Sequence, residues 1–257
     1  MRRTFPVLLA AAFLLPVTAQ AQQDTEASFS IEMAAGTAVE VSTITGSIEA
    51  SEYEGSTLEV SYVVICDDPE ELEALEVVHD TSDGIVFQVE YPDDWHRSAT
   101  AVVDFKLSVP ASIAADFVLQ TVEGDVLLTG CSGSAEINTV TGNTEVSGFD
   151  GDLTVNLVDG DMTLTGTPRL SSANLVYGTI TGTLERLDCD LDVSAVDGLV
   201  VLTLPEGVHV SVTTLSGDIS VPGHDVVHEV VGSSAEYGEG DLDVDVSTVS
   251  ADVEISD

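Results

Sequence analysis

Apolar and polar residues alternate along most of this 257-residue chain. In one representative stretch, Leu153, Val155 and Leu157 alternate with Thr154 and Asn156, and Met162 and Leu164 alternate with Thr163 and Thr165. A period of two is the period of a strand with one buried face. Between those runs Val158-Asp159-Gly160-Asp161 interrupts the beat, and Gly166 interrupts it again. The stretches 134–148 and 115–130 repeat the pattern. Val, Ile, Thr and Leu dominate, as suits a pleated, half-buried surface.

The interruptions recur. An apolar residue, a small or acidic one, a glycine, a polar residue and an apolar residue come around Gly124, Gly142, Gly160, Gly178, Gly198 and Gly217, at spacings of 18, 18, 18, 20 and 19. Gly130, Gly148 and Gly166 form a second series in phase with the first. Self-similarity at a fixed period marks a stacked-repeat architecture, in which one unit cannot bury its apolar face alone. The expectation is an all-β chain forming a β-solenoid, right-handed β-helix-like, with coils of about 18 residues and glycine at the corners. Six such coils, at about 4.8 Å each, make a rod of roughly 30 Å. The alternative is an antiparallel β-sandwich, whose strands also come every 8–12 residues.

The rest of the chain divides around that array. Residues 1–21 read as a signal peptide: Arg2 and Arg3, an apolar run from Val7 to Val17, and an Ala19-Gln20-Ala21 cleavage site. Arg2-Arg3 also fits a twin-arginine leader, and ordinary secretion is ranked above it. The apolar run is too short for a membrane span, and no other stretch reaches spanning length. Residues 22–27 read as a short polar tail and 28–110 as an N-terminal β segment of the same domain. Within that segment Thr43-Ile44-Thr45-Gly46-Ser47-Ile48 is an isolated corner copy, Asp67-Asp68-Pro69-Glu70-Glu71 a helix start, and Thr81-Ser82-Asp83-Gly84 a hairpin turn. A loop around Trp95 precedes the strand from Ala101 to Val109. Residues 111–257 hold the solenoid repeats and a C-terminal cap, where Thr248-Val249-Ser250-Ala251-Asp252-Val253 carries alanine in the glycine slot.

Composition narrows the partners. After removal of 1–21 the chain keeps four basic residues and all 46 acidic ones, a formal charge of −42. Nucleic acid is excluded as a partner by repulsion, and anionic membrane surfaces are disfavoured for the same reason. A surface so rich in Asp and Glu with a single lysine, Lys106, reads as built for high salt, where screening removes self-repulsion. Cys66, Cys131 and Cys189 are an odd set at different phases of the repeat, so they are expected unpaired, as small hydrophobes.

The layout resembles the putative adhesin family, a bacterial envelope domain. The resemblance rests on Val41-Ser42-Thr43-Ile44-Thr45-Gly46-Ser47-Ile48 and on Leu107-Ser108-Val109-Pro110-Ala111 leading to Gly124. It rests also on Leu204-Pro205-Glu206-Gly207 leading to Gly217, and on the closing stretch from Gly240 to Val253. It covers the mature chain, departing at Ala251 and around Trp95. It implies a β-solenoid, exported, non-enzymatic domain, and supplies no catalytic residues.

Candidate chemistry is sparse. Asp188, Asp190, Asp192 and Asp241, Asp243, Asp245 place carboxylates on one face of a strand, which a solvated surface or a calcium ion could use. The glycines of the calcium-binding β-roll are missing, so no metal residues are assigned and calcium is kept as an alternative cofactor. His224 and His228 have a zinc-protease spacing without its glutamate or a helix. Arg97, Lys106, Arg169 and Arg186 share no phase, and no nucleophile has a recognisable setting. No catalytic, cofactor-binding or metal residue is therefore expected. The function expected is an exported non-enzymatic binding or structural module, periplasmic, cell-surface or extracellular, whose partner is an envelope polymer or protein. A calcium-dependent acidic module and a polysaccharide-active β-helix enzyme are the alternatives.

Overall fold

The strand period is realised in a computed structural model that describes residues 23–82, 84–91, 101–221, 223–228 and 232–256. The leader expected over 1–21 and the loop around Trp95 lie outside the described residues. In chain order the elements are β1 (Gln23–Ile31), β2 (Thr37–Thr45), β3 (Ile48–Tyr53), β4 (Leu58–Cys66), the single-turn α1 (Pro69–Ala74), β5 (Glu76–Asp80), β6 (Ile85–Glu90) and β7 (Ala101–Pro110). The repeat array follows as β8 (Ala115–Glu123), β9 (Val126–Thr129), β10 (Ser132–Thr141), β11 (Thr144–Ser147), β12 (Asp150–Thr165), β13 (Leu170–Thr183) and β14 (Leu191–Thr203). The chain closes with β15 (His209–Thr214), β16 (Ile219–Ser220), β17 (Val227–His228), β18 (Ser233–Tyr237), β19 (Asp243–Thr248) and β20 (Asp252–Ser256).

The array is a parallel β-solenoid. Ile137 pairs with Leu119 below and Val155 above, and Val155 with Ala173, so each register step equals one repeat. Parallel pairing throughout the array rules out the antiparallel sandwich. Each coil has two inward runs of opposite parity. Leu153, Val155 and Leu157 are buried before the Gly160 corner, and Met162 and Leu164 after it. Four residues, 158–161, separate the two sets, and that parity change is the corner.

Tier order departs from chain order at both ends. β2 and β3 lie directly under β8 and β9, with Val41 beside Leu119 and Ile48 beside Val126, and β6 and β7 form the tier beneath them. The isolated Gly46 corner is thus part of the stack, and the segment 28–110 is built into the solenoid. At the other end β19 and β20 are wedged between β14 and the pair β15 and β16. The coil with Ala251 is therefore an interior tier, not the terminal cap expected. Nine tiers rather than six make a rod of about 40 Å. Antiparallel strands close the ends: β18 covers β15, and β4 and β5 cover β7 and β6.

The polar tail expected at 22–27 is, from Gln23, the first half of β1, which pairs antiparallel with β4 from Gln23–Cys66 to Ile31–Leu58. An edge strand satisfies its backbone without burying its side chains, so polar residues suffice there. Phe29 anchors it against Phe87 (5.4 Å between centroids) and Tyr62 (6.1 Å). The helix start is as expected, with Asp68 Oδ1 accepting the Glu70 N–H at 2.9 Å.

Glycine is required where tiers nearly touch. A Cβ on Gly160, whose φ is +143°, would lie 1.9 Å from the Gly142 carbonyl oxygen, far inside the contact of about 3.3 Å that carbon and oxygen tolerate. Gly124, Gly142, Gly178 and Gly198 each meet the preceding corner glycine's oxygen in the same way. Gly148, in the second series, has φ +63° and nothing closer to such a Cβ than 3.9 Å. Gly160→Ala is expected to cost on the order of 3 kcal/mol or more, against about 1–2 kcal/mol for Gly148→Ala, which incurs only the left-handed backbone penalty. Urea denaturation of the two variants checks this, and equal losses would refute the stacking argument.

Candidate functional site

The corner geometry creates a crease along one side of the rod. Just before each corner, three successive residues point out, in and out. The inward ones, Thr43, Thr121, Thr139, Leu157, Leu175, Ala195 and Thr248, are at most 8% exposed and form the floor. The outward residues on either side face across the crease. One wall is Ser42, Gln120, Asn138, Asn156, Asn174, Ser194 and Ser247. The other is Val122, Val140, Val158, Val176, Val196 and Val249. Together they enclose about 730 Å³ across seven tiers, within the range of small-ligand sites but drawn out along the rod.

Each wall has a physical origin. Valine follows an inward residue, so the alternation forces it outward; Val122, Val140, Val158, Val196 and Val249 are 41–44% exposed. Packed side by side between tiers, they keep about half their surface in water. Opposite, asparagines stack into a ladder: Asn174 Nδ2 donates to Asn156 Oδ1 and Asn156 Nδ2 to Asn138 Oδ1, both at 2.9 Å. Asn156 thus donates once and accepts once within the ladder, and a primary amide has a second N–H and a second lone pair. Beneath, the hydroxyls are turned inward: Thr121 donates to the Gly46 carbonyl at 3.1 Å, and Thr139 shares a hydrogen with Thr144 at 3.2 Å.

None of these groove residues is ionisable, on a chain of formal charge −40. Acids border the groove without lining it, Glu136 Oε1 accepting from Asn138 Nδ2 at 3.0 Å, and corner acids serve the fold. Asp125 Oδ1 accepts the Asn143 N–H of the next tier at 2.7 Å, and Asp161 Oδ1 the Thr179 N–H at 3.1 Å. The two acidic rows singled out from the sequence come together, since β14 and β19 are neighbours and Asp192 pairs with Asp245. Asp190 accepts the Asp243 N–H at 3.0 Å, Asp188 pairs with Arg186 at 2.8 Å, and Asp243 with His209 Nδ1 at 3.0 Å. Among the described residues no three His, Cys, Asp or Glu side chains are grouped closely enough to hold a metal ion. His224 stacks on Tyr237 at 4.0 Å and His228 bonds Ser233 at 2.9 Å, so the two histidines do not converge. Arg169 pairs with Asp152 and Lys106 with Glu49, on separate tiers.

The groove is not evident from the sequence pattern alone. Its signal was present as the doublets Thr121-Val122, Thr139-Val140, Leu157-Val158, Leu175-Val176 and Ala195-Val196. When the first member of each doublet is inward, the second must face solvent.

The three cysteines are free. Cys66 and Cys131 are buried and Cys189 is half-buried. Burial pushes the Cys131 thiol up to about 12, with the nearby Glu52 carboxylate adding to the effect; burial also raises that of Cys189. Iodoacetamide at pH 8 is therefore expected to label Cys189 slowly and first, with all three labelled only on unfolding. Because the unfolded Cys131 ionises first, its contribution to stability is complete below about pH 9 and is lost as pH rises toward 12. Peptide mapping and alkaline unfolding midpoints check both, and fast labelling of Cys131 in the native chain would contradict the burial argument.

The model of the family described as Toastrack DUF4097 matches residues 22–256. No curated protein matches the chain. Solved structures are similar to it at low identity. A putative cell adhesion protein from Clostridium sporogenes is 12% identical, with 91% of this chain and 98% of that one covered and a TM-score of 0.39. A putative adhesin from Bacteroides fragilis is 7% identical, with 91% and 97% covered and a TM-score of 0.34. Another putative adhesin, from Parabacteroides distasonis, is 11% identical, with 90% and 97% covered and a TM-score of 0.33.

Proposed function

The chain belongs to the Toastrack DUF4097 family, and from that membership and the groove we propose that it is an exported, non-enzymatic, adhesin-like binding module of the bacterial cell envelope. The observation that carries the reading is the uncharged, seven-tier groove. A long crease with an aliphatic wall and an amide and hydroxyl wall is suited to holding a linear, uncharged envelope polymer by many weak contacts rather than to breaking a bond. Hydrolysis or elimination needs an acid, base or metal beside the bound chain, and the groove residues offer amides, hydroxyls and aliphatic groups. Export is supported by the leader features of residues 1–21. No helix among the described residues is long and apolar enough to cross a membrane.

The outer carboxylates have a separate role in this reading: they keep the rod hydrated and dispersed in salt. The unfolding midpoint followed by circular dichroism is expected to rise from low to molar sodium chloride as the surface charge is screened. Millimolar calcium at matched ionic strength should add nothing further. A midpoint indifferent to sodium chloride would remove the salt-adapted reading, and one raised by calcium alone would make the acidic rows ligands.

Function is tested with the labelled mature chain and envelopes from the producing cell. Saturable binding is expected for the wild type, with loss of about tenfold or more in affinity for the triple variant Val140→Asp, Val158→Asp, Val176→Asp. The substitutions lie at outward positions, so the circular dichroism spectrum should be retained. The exported form should begin at Gln22, and the bound polymer should be recovered uncut. Binding unaffected by the three aspartates, an uncleaved chain confined to the cytoplasm, or release of polymer fragments would each sink the corresponding part of the reading.

A further inference from the structure

We infer that the groove takes a neutral, extended polysaccharide lying along the solenoid axis, with about one sugar ring to each tier; this rests on the binding-module reading above and names its ligand class. Charge supplies the first reason. An acidic polymer would be repelled by a mature chain of formal charge −42, and a basic one would be drawn to the carboxylate faces rather than into an uncharged crease. A neutral polymer is the class for which the groove is the preferred surface.

The two walls supply the second reason. A pyranose ring has a C–H face and a rim of hydroxyl groups. The valine wall, with Val140, Val158 and Val176, offers aliphatic surface to the one. The facing amides of Asn138 and Asn156, whose groups both donate and accept, offer partners to the other. The repeat supplies the third. Tiers advance by about 4.8 Å, and in an extended chain of equatorially linked pyranoses each ring advances by close to one tier. Successive rings therefore meet successive valine and polar pairs, with amides at Gln120, Asn138, Asn156 and Asn174 and hydroxyls at Ser194 and Ser247.

A bound polypeptide strand does not keep that step. It rises about 3.3–3.4 Å per residue, so side chains on one face recur at about 6.7 Å and fall out of phase with the tiers. Nor can it extend a sheet along the polar wall, because Asn138, Asn156, Asn174 and Ser194 are paired in the parallel ladders between tiers.

Calorimetric titration of the mature chain tests the inference. The probes are β-1,4-linked oligosaccharides of glucose, xylose, mannose and N-acetylglucosamine, from about two to about eight rings. An oligogalacturonate and an uncharged Thr-Val alternating peptide serve as comparators. At least one neutral series is expected to bind, its Kd falling about tenfold or more between two and seven rings and levelling off beyond, when the seven tiers are filled. The triple aspartate variant should lose that gain with its unfolding midpoint kept. Failure of every neutral series to bind, affinity independent of length, or equal binding by the variant overturns the inference. Tight binding of the peptide or of oligogalacturonate in place of the neutral series also overturns it. In those cases groove-dependent binding to envelopes would leave the binding-module reading standing; loss of envelope binding as well would remove both.

Discussion

The structure depends on one close approach: the backbone of each corner lies almost on the backbone of the corner below. At Gly160 there is no room for a Cβ against the Gly142 oxygen, and the same contact recurs from Gly124 to Gly198. Parallel ladders on both sides of the corner fix the tier spacing, and the corner must follow it. A side chain pointing into the next tier would pry the ladders apart on both sides at once. Glycine is thus the condition on which the pairing of the six tiers from Gly46 to Gly198 rests, whereas the β19–β20 tier turns its corner with Ala251. Neighbouring polar residues complete the corner by bonding across tiers, as Asp125 does with the Asn143 N–H. Part of the acidic composition is for that reason structural.

From the corner follows the groove. A parity change is needed for the chain to turn and still present apolar residues inward on both arms. The residue after the last inward one is left outside, on a bend, facing its neighbour two positions back. Val158 faces Asn156 in this way, and Val140 faces Asn138. Repetition then extends a local accident of geometry into a continuous crease. The solenoid cannot have its corner without this crease, but nothing in the corner dictates what lines it. Glu or Lys at 138, 156 and 174 would stack like charges one tier apart. The amides there bond one another up the rod and at the same time leave the crease uncharged.

Much of the fold was legible because the interruptions of the alternation are periodic. The Gly124–Gly198 series specified parallel tiers and their length, and the strands fell where the alternation put them. What was not legible has a common cause. Tier order was read as chain order, whereas a tier needs only matching inward residues and a compatible corner. The β19 strand, 53 residues from its partner in β14, meets that condition with Val244 and Val246, and so it enters the stack. The Gly46 corner joins from the other end by the same rule. The first half of β1 was missed because an edge strand can be made of polar residues when its backbone alone is paired. The groove went unseen for a different reason. Val158 and Val140 were read only as parts of the corner motif that bends the chain, and a residue's exposure on a bend is a property of three dimensions.

The ends of the rod make the last point about what the middle is for. A solenoid of identical tiers would offer unpaired edges at both ends and polymerise. Here β18 and β17 run antiparallel over one end of the rod, and β1, β4 and β5 over the other, with Phe29 packed on Phe87. The outer faces between the caps carry a large excess of negative charge, so rods repel one another sideways as well. With end-to-end and side-to-side association both opposed, the long uncharged crease is the surface left for contact. Its length is set by the number of tiers between the caps. A ligand that reads it must therefore be linear, and must repeat in step with the fold that built it.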